Sequence, residues 1–342
     1  MKLDILVHLS QDYFSIGIAE LNTLLGLFFK EFHINELRRP LVKVSINNVD
    51  PQRSYIYLKR ILFRSACIKR FLMLFNEIDP DLMVYTYLPN FILNMGFLRF
   101  AGHVHDYDGD LRREISQSII DGIYELMHDR YSFKLDLSNP DVIIGVYKVK
   151  NIYHLGLELH NDKKGFEYRR PHRRPVFTPF SLEPKLSRLL INLSGVPDEG
   201  IIIDPFCGVA GIPVEAASIG ISSICVELKY RWAKGAYVNL KWFPSNVYWD
   251  VICGDSLKDF IALDRDIYVA SDPPYGRITP TSSNVLHIYR RFIDQFVSRA
   301  KGSAFFSPML LTNILNNYNL LVKYVFQIRV HKNLVRYLYV IR

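Results

Sequence analysis

Cysteines and long apolar runs are both scarce in this sequence. Only four cysteines occur among 342 residues, and no two of them form a C-x-x-C pair. Their wide spacing argues against a disulfide framework or a cysteine zinc site, and we expect no metal ion at the functional site. No uninterrupted apolar run reaches 18 residues, so a transmembrane helix is not expected.

The N-terminus also lacks the apolar stretch of a signal peptide. Residues 1–14, "MKLDILVHLSQDYF", have an acid and a histidine where that stretch would have to be unbroken. Together with the cysteine usage, which fits a reducing compartment, this predicts a cytoplasmic protein.

Acidic residues are outnumbered by basic ones. The chain has 34 Asp and Glu against 42 Lys and Arg, which gives a net charge of +8. Such an excess favours a polyanionic partner, of which nucleic acid is one class. The hydrophobic content of 49% is that of an ordinary globular protein, and the length allows two domains.

The two halves of the chain differ in the order of their predicted elements. Residues 1–160 mix strands and helices in an α+β arrangement, with a helical pattern over 57–75 and a strand over 81–88. Residues 182–342 alternate strand and helix and end in two strands joined by "HK". This pattern predicts a doubly wound, mostly parallel α/β sheet that ends in an antiparallel hairpin. Residues 161–181 are rich in proline and arginine and predict a connector.

A glycine-containing loop follows the first strand of the second half, in "IIIDPFCGVAG". Asp204 ends the strand, and Gly208 and Gly211 allow a ligand to approach the backbone closely. Phe206 occupies the place of the first glycine in the G-x-G-x-x-G pattern of dinucleotide sites, which argues against NAD. A carboxylate at Asp204 suits a cationic ligand, and S-adenosylmethionine fits this better.

Acids also follow the next two strands. Glu227 ends the second strand, where a carboxylate can accept hydrogen bonds from both ribose hydroxyls. Asp255 and Ser256 follow the third strand, and Asp255 could accept from an adenine amino group. Either acid alone is as easily a solvated strand end, and their placement after consecutive strands favours the cofactor interpretation.

The fourth strand ends in "SDPPYGR". Neither proline has an N–H to donate, and the residue before a proline is restricted to extended geometry. Asp272 and the Pro273 carbonyl therefore present fixed acceptors, which suit the amino group of a planar base. Tyr275 could stack on that base, an interaction worth ~1–3 kcal/mol. The simpler alternative is a rigid turn at a strand end.

These motifs resemble a known family. "DPFCGVAG" with "DPPYG" looks like the class I amino-methyltransferases, and "RRPVFTPFSLEPKLSRLLINLSG" is similar to the archaeal THUMP-containing methyltransferases that act on N2 of guanine 10 in tRNA. The resemblance implies a ferredoxin-like module (1–70), a THUMP-like RNA-binding domain (71–160), a basic proline-rich linker (161–181) and a Rossmann-like class I methyltransferase domain (182–342).

The resemblance also implies roles for individual residues. Asp272, Pro273 and Tyr275 would hold the guanine as catalytic residues. Val209 and Ala210 depart from the residues that relatives often have in the glycine loop, but both glycines are kept. The residues implied to contact the cofactor are Pro179, Ser181, Asp204, Phe206, Gly208, Gly211, Glu227, Asp255 and Ser256.

Four arginines lie in "RRPHRR" beside the segment implied to close over the cofactor. They are predicted to contact tRNA phosphates, with affinity that falls as salt rises. The alternative is a solvated linker with one arginine held at a domain interface. The four are Arg169, Arg170, Arg173 and Arg174.

Several functions stay open at this point. The leading one is methylation of N2 of guanine 10 in tRNA by a monomer that uses S-adenosylmethionine, with one or two methyl groups added. Others are guanine 6 of tRNA, an rRNA guanine, adenine in DNA, a protein glutamine, or RNA binding without catalysis. A small activating subunit, as some relatives use, is also left open.

Overall fold

The chain forms two compact units in its computed structural model. The described residues are 2–78, 88–161, 165–258, 266–275, 282–331 and 334–342. Unit 1 comprises Met1–Ile18, Phe28–Phe63 and Cys67–Lys163, and unit 2 comprises Ala19–Leu27, Arg64–Ala66 and Lys164–Arg342. Within the described ranges, no helix has the length and hydropathy needed to cross a membrane.

Unit 1 is built on an eight-stranded sheet with the order β2-β3-β1-β4-β8-β7-β5-β6. Most neighbours are antiparallel, and β5 is parallel to both β6 and β7. The elements of this part of the chain are β1 (Leu3–Leu9), α1 (Phe14–Phe28), β2 (Phe32–Arg38), β3 (Leu41–Ile46), α2 (Pro51–Arg64), β4 (Ile68–Ile78), α3 (Asn90–Leu93), β5 (Arg99–Asp106), α4 (Arg113–Tyr124), β6 (Lys134–Leu135), β7 (Val142–Val149) and β8 (Ile152–His160).

Strand β4 connects the two parts of this sheet. It pairs antiparallel with β1 on one side and with β8 on the other. The domain boundary predicted at residue 70 therefore lies inside a strand that both predicted modules share. The names ferredoxin-like and THUMP-like stay predictions.

The helical pattern predicted over residues 57–75 is wrong after Arg64. Helix α2 ends there, and β4 begins at Ile68. Phe71, Leu72 and Met73 are all fully buried, so this strand is apolar on both faces. A short apolar run of this kind has no period of its own, and pairing on both sides makes it a strand. The strand predicted over 81–88 lies, apart from Leu88, outside the described residues.

Unit 2 contains the predicted α/β sheet, in the order β11-β10-β9-β12-β13-β15-β14. Strands β9 to β13 pair in parallel, and β15 is antiparallel to β13 and β14, as the closing hairpin requires. The elements are α5 (Pro184–Ser194), β9 (Ile201–Asp204), α6 (Gly211–Ser218), β10 (Ser222–Glu227), α7 (Tyr230–Trp242), β11 (Trp249–Cys253), β12 (Ile267–Ser271), α8 (Ser282–Gln295), β13 (Gly302–Ser307), α9 (Thr312–Asn316), β14 (Val322–His331) and β15 (Leu334–Ile341).

The strand order of unit 2 reverses at β9. Strand β10 lies on one side of β9 and β12 on the other, which makes a topological switch point. The central strands are buried because helices cover both faces of such a sheet, and Ile203 and Val269 are both fully buried. The predicted α/β architecture of the second half is confirmed, and its switch point places the carboxyl ends of β9 and β12 side by side.

The structure pairs two cysteines, which corrects the expectation against disulfides. Cys207 and Cys225 form a disulfide with their Cα atoms 5.5 Å apart. Asp204 and Cys225 are partners in the pairing of β9 with β10, so the loop after β9 returns over β10. The Cys207 N–H donates to the Val226 carbonyl at 3.1 Å and holds the loop there. This proximity is created by strand pairing and cannot be inferred from an 18-residue spacing.

Candidate active site

The centre of the site is a hydrogen bond between the ends of two neighbouring strands. Asp204 is the last residue of β9 and Ser271 the last residue of β12, and both are buried. The Ser271 hydroxyl donates to Asp204 Oδ1 at 2.7 Å, and the Phe206 N–H donates to the same oxygen at 3.2 Å. The first and fourth strand ends are therefore joined through one carboxylate.

Asp204 holds its proton more tightly than an ordinary aspartate. Burial raises its pKa to about 7, against donated hydrogen bonds from Ser271 and Phe206, and the nearby charges of Asp272 and Glu227 raise it further. Three carboxyl groups thus gather at this edge of the sheet. A cationic ligand would relieve their mutual repulsion, which fits a cofactor that carries ammonium and sulfonium groups.

The glycine loop leaves an open surface beside these acids. Gly208 has a φ of +54°, and among the described residues no heavy atom lies within 4 Å of the position that its Cβ would take. Ala210 also has a positive φ, +62°, and Gly211 begins α6. A side chain at Gly208 would be strained and would fill the open surface, so glycine suits a position against a ligand. The departure at Ala210 keeps this geometry.

Glu227 is tied to the same loop. Its Oε2 accepts the Gly208 N–H at 3.0 Å and its Oε1 accepts the Lys229 N–H at 2.8 Å. Burial raises the pKa of Glu227, against the effect of these two hydrogen bonds. The predicted ribose acid therefore also holds the backbone of the glycine loop in place.

The acid after the third strand lies in a tight turn. Asp255 Oδ1 accepts the Leu257 N–H at 3.1 Å, and Ser256 is buried. Because β11 pairs in parallel with β10, this turn follows the same edge of the sheet as Glu227. The adenine contact of Asp255 stays a prediction.

The Asp272 carboxylate has two donors beside it, neither of which belongs to strand β12. The Tyr275 hydroxyl donates to Asp272 Oδ1, and Arg336 Nη1 on β15 lies 3.4 Å from Oδ2. Burial raises the pKa of Asp272, opposed by Arg336 and then by the hydrogen bond of Tyr275. The Arg336 guanidinium also lies over the Tyr275 ring, 4.8 Å from its centroid. The Asp272 carboxylate is therefore already engaged by Tyr275 of the same loop and by Arg336, and it is not a free acceptor.

The Pro273 carbonyl, the second predicted acceptor, faces a helix. Pro273 is buried, and the Tyr289 hydroxyl of α8 lies 3.5 Å from its carbonyl oxygen. The same hydroxyl lies 3.1 Å from the carbonyl of Phe306, which leaves Pro273 the weaker acceptor of the two.

The segment implied to close over the cofactor forms a small turn. The Thr178 N–H lies 3.2 Å from the Ser181 hydroxyl, and the Ser181 N–H donates to the Thr178 carbonyl at 3.0 Å. Pro179 is exposed within it. The carbonyl of the next residue, Leu182, lies 3.9 Å from where a Cβ of Gly211 would be, so the turn adjoins the start of α6. Contact with a cofactor stays a prediction for both residues.

The sequence of this chain is similar to those of known methyltransferases. The model of the RMKL-like methyltransferase domain matches residues 171–335. The tRNA (guanine(10)-N2)-dimethyltransferase of Pyrococcus abyssi is 30% identical over 230 residues, which are 66% of this chain and 68% of the relative. The chain belongs to the methyltransferase family of this relative.

Two further relatives carry the same name. The tRNA (guanine(10)-N2)-dimethyltransferase of Methanocaldococcus jannaschii is 25% identical over 358 aligned residues, with 97% of each chain covered. That of Methanothermobacter thermautotrophicus is 31% identical over 197 residues, and the match spans 57% of each chain. The likeness to this methyltransferase family thus extends through both halves of the chain in one relative.

Two of the four arginines predicted to contact RNA are buried. Arg169 is 6% exposed, and its Nε donates to Glu215 Oε1 at 2.5 Å. Arg174 is 4% exposed, and its Nε donates to the Arg169 carbonyl at 2.9 Å. Burial prevents either guanidinium from reaching a phosphate on the surface, so the phosphate role predicted for both needs correction. Arg170 and Arg173 are exposed and keep that prediction.

Glu215 is the buried carboxylate with which Arg169 pairs. It lies fully buried on α6, and Arg188 of α5 donates to its Oε2 at 2.7 Å. Two guanidinium groups therefore surround one carboxylate between α5, α6 and the connector. The alternative considered for the sequence was a solvated linker with one arginine held at a domain interface. In the structure Arg169 and Arg174 are both buried, and Arg169 pairs with Glu215 of its own unit.

Three residues of the site were not predicted. Ser271 precedes the "DPPYG" motif and had no signal of its own, although its place at a strand end could have suggested a role. Tyr289 and Arg336 come from α8 and β15, 17 and 64 residues away from Asp272 along the chain. Nothing in the sequence connects such distant positions, since only the sheet order brings them to the same edge.

Proposed function

We propose that this methyltransferase uses S-adenosylmethionine to methylate the exocyclic N2 of guanine 10 in tRNA. The observation that carries the proposal is the junction of Asp204, Ser271 and Asp272 at the switch point, with the open face of Gly208 beside it. The family provides the substrate, because both of these relatives are named for this reaction and one of them matches 97% of the chain.

The residues of the site fit the cofactor. Asp204 and Glu227 place carboxylates beside the open loop surface, where a cationic methionine moiety and a ribose can be held. When bound, the cofactor supplies a methyl group on a positively charged sulfur. Asp255, Pro179 and Ser181 would complete its contacts.

The protein contributes position and electrostatics at the acceptor amine. The lone pair of a guanine amino group is delocalised into the ring, which makes the nitrogen a poor nucleophile. If Asp272 and the Pro273 carbonyl each accept one of its N–H groups, the nitrogen becomes pyramidal and its lone pair is directed at the methyl group. An incoming amine would replace the Tyr275 hydroxyl at Asp272, which frees the tyrosine ring to stack on the base.

We further propose a cytoplasmic monomer, with Arg170 and Arg173 at the RNA surface. An assay of the purified chain alone tests whether its activity needs a small activating subunit. Light scattering of the full chain gives the oligomeric state.

The decisive experiment is nucleoside mass spectrometry. The purified chain, methyl-labelled S-adenosylmethionine and a tRNA transcript should yield labelled N2-methylguanosine or N2,N2-dimethylguanosine, and the ratio of the two reports the number of transfers. A transcript with adenine at position 10 should yield neither. Product that persists with this transcript and disappears when guanine 6 is replaced would move the target to guanine 6. If a calorimetric titration detected no binding of S-adenosylmethionine, the enzymatic assignment would be overturned.

A further inference from the structure

A cluster of histidines surrounds one buried carboxylate in unit 1, in a part of the chain to which the proposed function assigns no chemistry. His103 Nδ1 lies 3.0 Å from Glu158 Oε1, and His105 Nε2 lies 3.0 Å from Glu158 Oε2. His160 Nδ1 lies 3.7 Å from Oε1. The pocket around them has a volume of about 250 Å³ and is also lined by Arg70.

Strand geometry explains why these side chains meet. His103 and His105 are two residues apart on β5, and Glu158 and His160 are two apart on β8, so each pair shares one face of the sheet. Strand β7 lies between β5 and β8, and Gly145 is the residue of β7 that pairs with His103.

Gly145 creates the space for the carboxylate. A Cβ at this position would lie 3.1 Å from Glu158 Oε2 and 2.8 Å from a methyl carbon of Leu72, so no other residue fits without a shift. Gly156 of β8 is in turn the partner of Gly145. Two glycines side by side form a depression into which side chains from β5 and β8 converge.

Glu158 is the most buried of the three side chains. Its side chain is 1% exposed, and its two oxygens lie 3.0 Å from His103 Nδ1 and His105 Nε2. The histidine side chains are partly accessible, at 39% for His103 and 24% for His105. A carboxylate at the bottom and imidazoles at the entrance are arranged to receive a small cation from solvent.

The distances suit a transition-metal ion. The donor atoms of His103, His105 and Glu158 all lie within 4.8 Å of one another. Around a tetrahedral Zn²⁺ with ligands at about 2.0–2.1 Å, donor atoms are separated by roughly 3.3 Å. The observed separations of 3.0 Å between carboxylate and imidazole are close to this value, so an ion could enter with small rotations of the side chains.

We propose that His103, His105 and Glu158 bind a divalent transition-metal ion, Zn²⁺ or one of similar ligand preference. Two imidazoles and one carboxylate are typical ligands of such ions, whereas Ca²⁺ and Mg²⁺ prefer oxygen. His160 is the nearest further donor, and water would complete the coordination.

Arg70 opposes the ion and gives the proposal a specific test. Its Nη1 lies 2.9 Å and 3.0 Å from the two ring nitrogens of His105. A guanidinium at this distance from the proposed ligand repels a cation. Arg70→Gln should therefore bind the metal more tightly than the wild-type chain, a result that a purely structural carboxylate and histidine cluster would not give.

The experiment is a metal titration of the chelator-treated full chain, with Co²⁺ followed by absorption and Zn²⁺ by competition. We expect one equivalent bound per chain, at least tenfold weaker binding for His103→Ala and Glu158→Gln, and tighter binding for Arg70→Gln. His33→Ala removes an exposed histidine from β2 of the same sheet and should leave the affinity unchanged.

Two results would overturn the metal site: no saturable binding, or equal binding by the wild-type chain and His103→Ala. His103→Ala is the safer variant because its side chain is partly exposed, and a melting curve of each variant without metal confirms that it folds. Zn²⁺ should also raise the melting temperature of the wild-type chain more than that of His103→Ala. Neither readout depends on methyl transfer, so failure of the proposed function would leave this test unaffected.

Discussion

At the residue scale, Asp272 carries the sharpest prediction. Because its carboxylate would accept a hydrogen bond from the amine and touches no part of the predicted RNA surface, Asp272→Ala should reduce methyl transfer by at least 100-fold. Binding of tRNA should change by no more than a few-fold. Single-turnover rates and filter binding measure the two effects separately.

Arg336→Lys serves as the companion variant. It keeps a positive charge near Asp272 but loses the planar group over Tyr275, so activity should fall less than in Asp272→Ala. Near wild-type turnover by Asp272→Ala would remove this carboxylate from the mechanism.

Asp204 predicts how cofactor binding depends on pH. Its pKa is raised from 3.8 to about 7 by burial, so the group is protonated below that pH and ionised above it. A cationic cofactor prefers the ionised form, and its affinity should weaken by up to tenfold per unit as the pH falls below about 7. Calorimetry between pH 5.5 and 8.5 measures this.

The raised pKa of Asp204 also makes the stability of the cofactor-free protein depend on pH, in the opposite direction. The folded state holds the Asp204 proton more tightly than the unfolded chain, so this group favours folding below pH 3.8 and its contribution is lost as the pH rises toward about 7. Asp204→Asn should abolish both trends. Equal cofactor affinity of the wild-type chain at pH 6 and pH 8 would contradict the assigned role.

At the scale of elements, Glu215 fixes the connector to α5 and α6. Glu215→Gln would remove the carboxylate with which the buried Arg169 and Arg188 pair, and removal of one partner of a buried ion pair typically costs about 3–5 kcal/mol. Urea denaturation of the two proteins measures the difference in the free energy of unfolding.

Glu167→Gln is the matched control for this variant. Glu167 pairs with Arg170 at 2.7 Å, but its side chain is 77% exposed. Surface pairs contribute little to stability, so this variant should unfold like the wild-type chain. If both variants unfolded alike, the buried cluster would not be what anchors the connector.

Elements differ in how far they can be predicted from sequence. The strand–loop–helix unit around Asp204 was predictable because a short aliphatic run, a carboxylate and two glycines follow one another within a few residues. Strand β4 was predicted as helix because it is buried on both faces, which removes the alternation that identifies a strand. Arg169 and Arg174 were predicted to contact tRNA phosphates because a run of arginines has the same local pattern whether or not the fold brings a buried glutamate close to it.

At the scale of the whole molecule, the net charge of +8 predicts that binding to tRNA weakens with salt. Each phosphate contact adds to the slope of the logarithm of affinity against the logarithm of salt concentration. Arg170→Ala combined with Arg173→Ala should lower that slope by roughly 1–2, because both side chains are exposed. Fluorescence anisotropy with labelled tRNA between 50 and 300 mM KCl, a range of about 0.8 decades, measures it.

Arg299→Ala is the control for charge alone. Arg299 is exposed and precedes the amino end of β13, whereas the site is at the carboxyl ends of the parallel strands. Its removal should leave the slope unchanged. An equal decrease in both proteins would mean that the affinity follows net charge and not the connector.

The sequence by itself determined the α/β architecture of the second half and the glycine loop after its first strand. Each of these rests on residues close together in the chain, whose periodicity and backbone restrictions act locally. Only the tertiary structure decided which distant groups meet: Ser271 with Asp204, Arg336 with Asp272, Cys207 with Cys225, and Glu215 with two arginines. Strand order and burial set those contacts, and neither has a local signature.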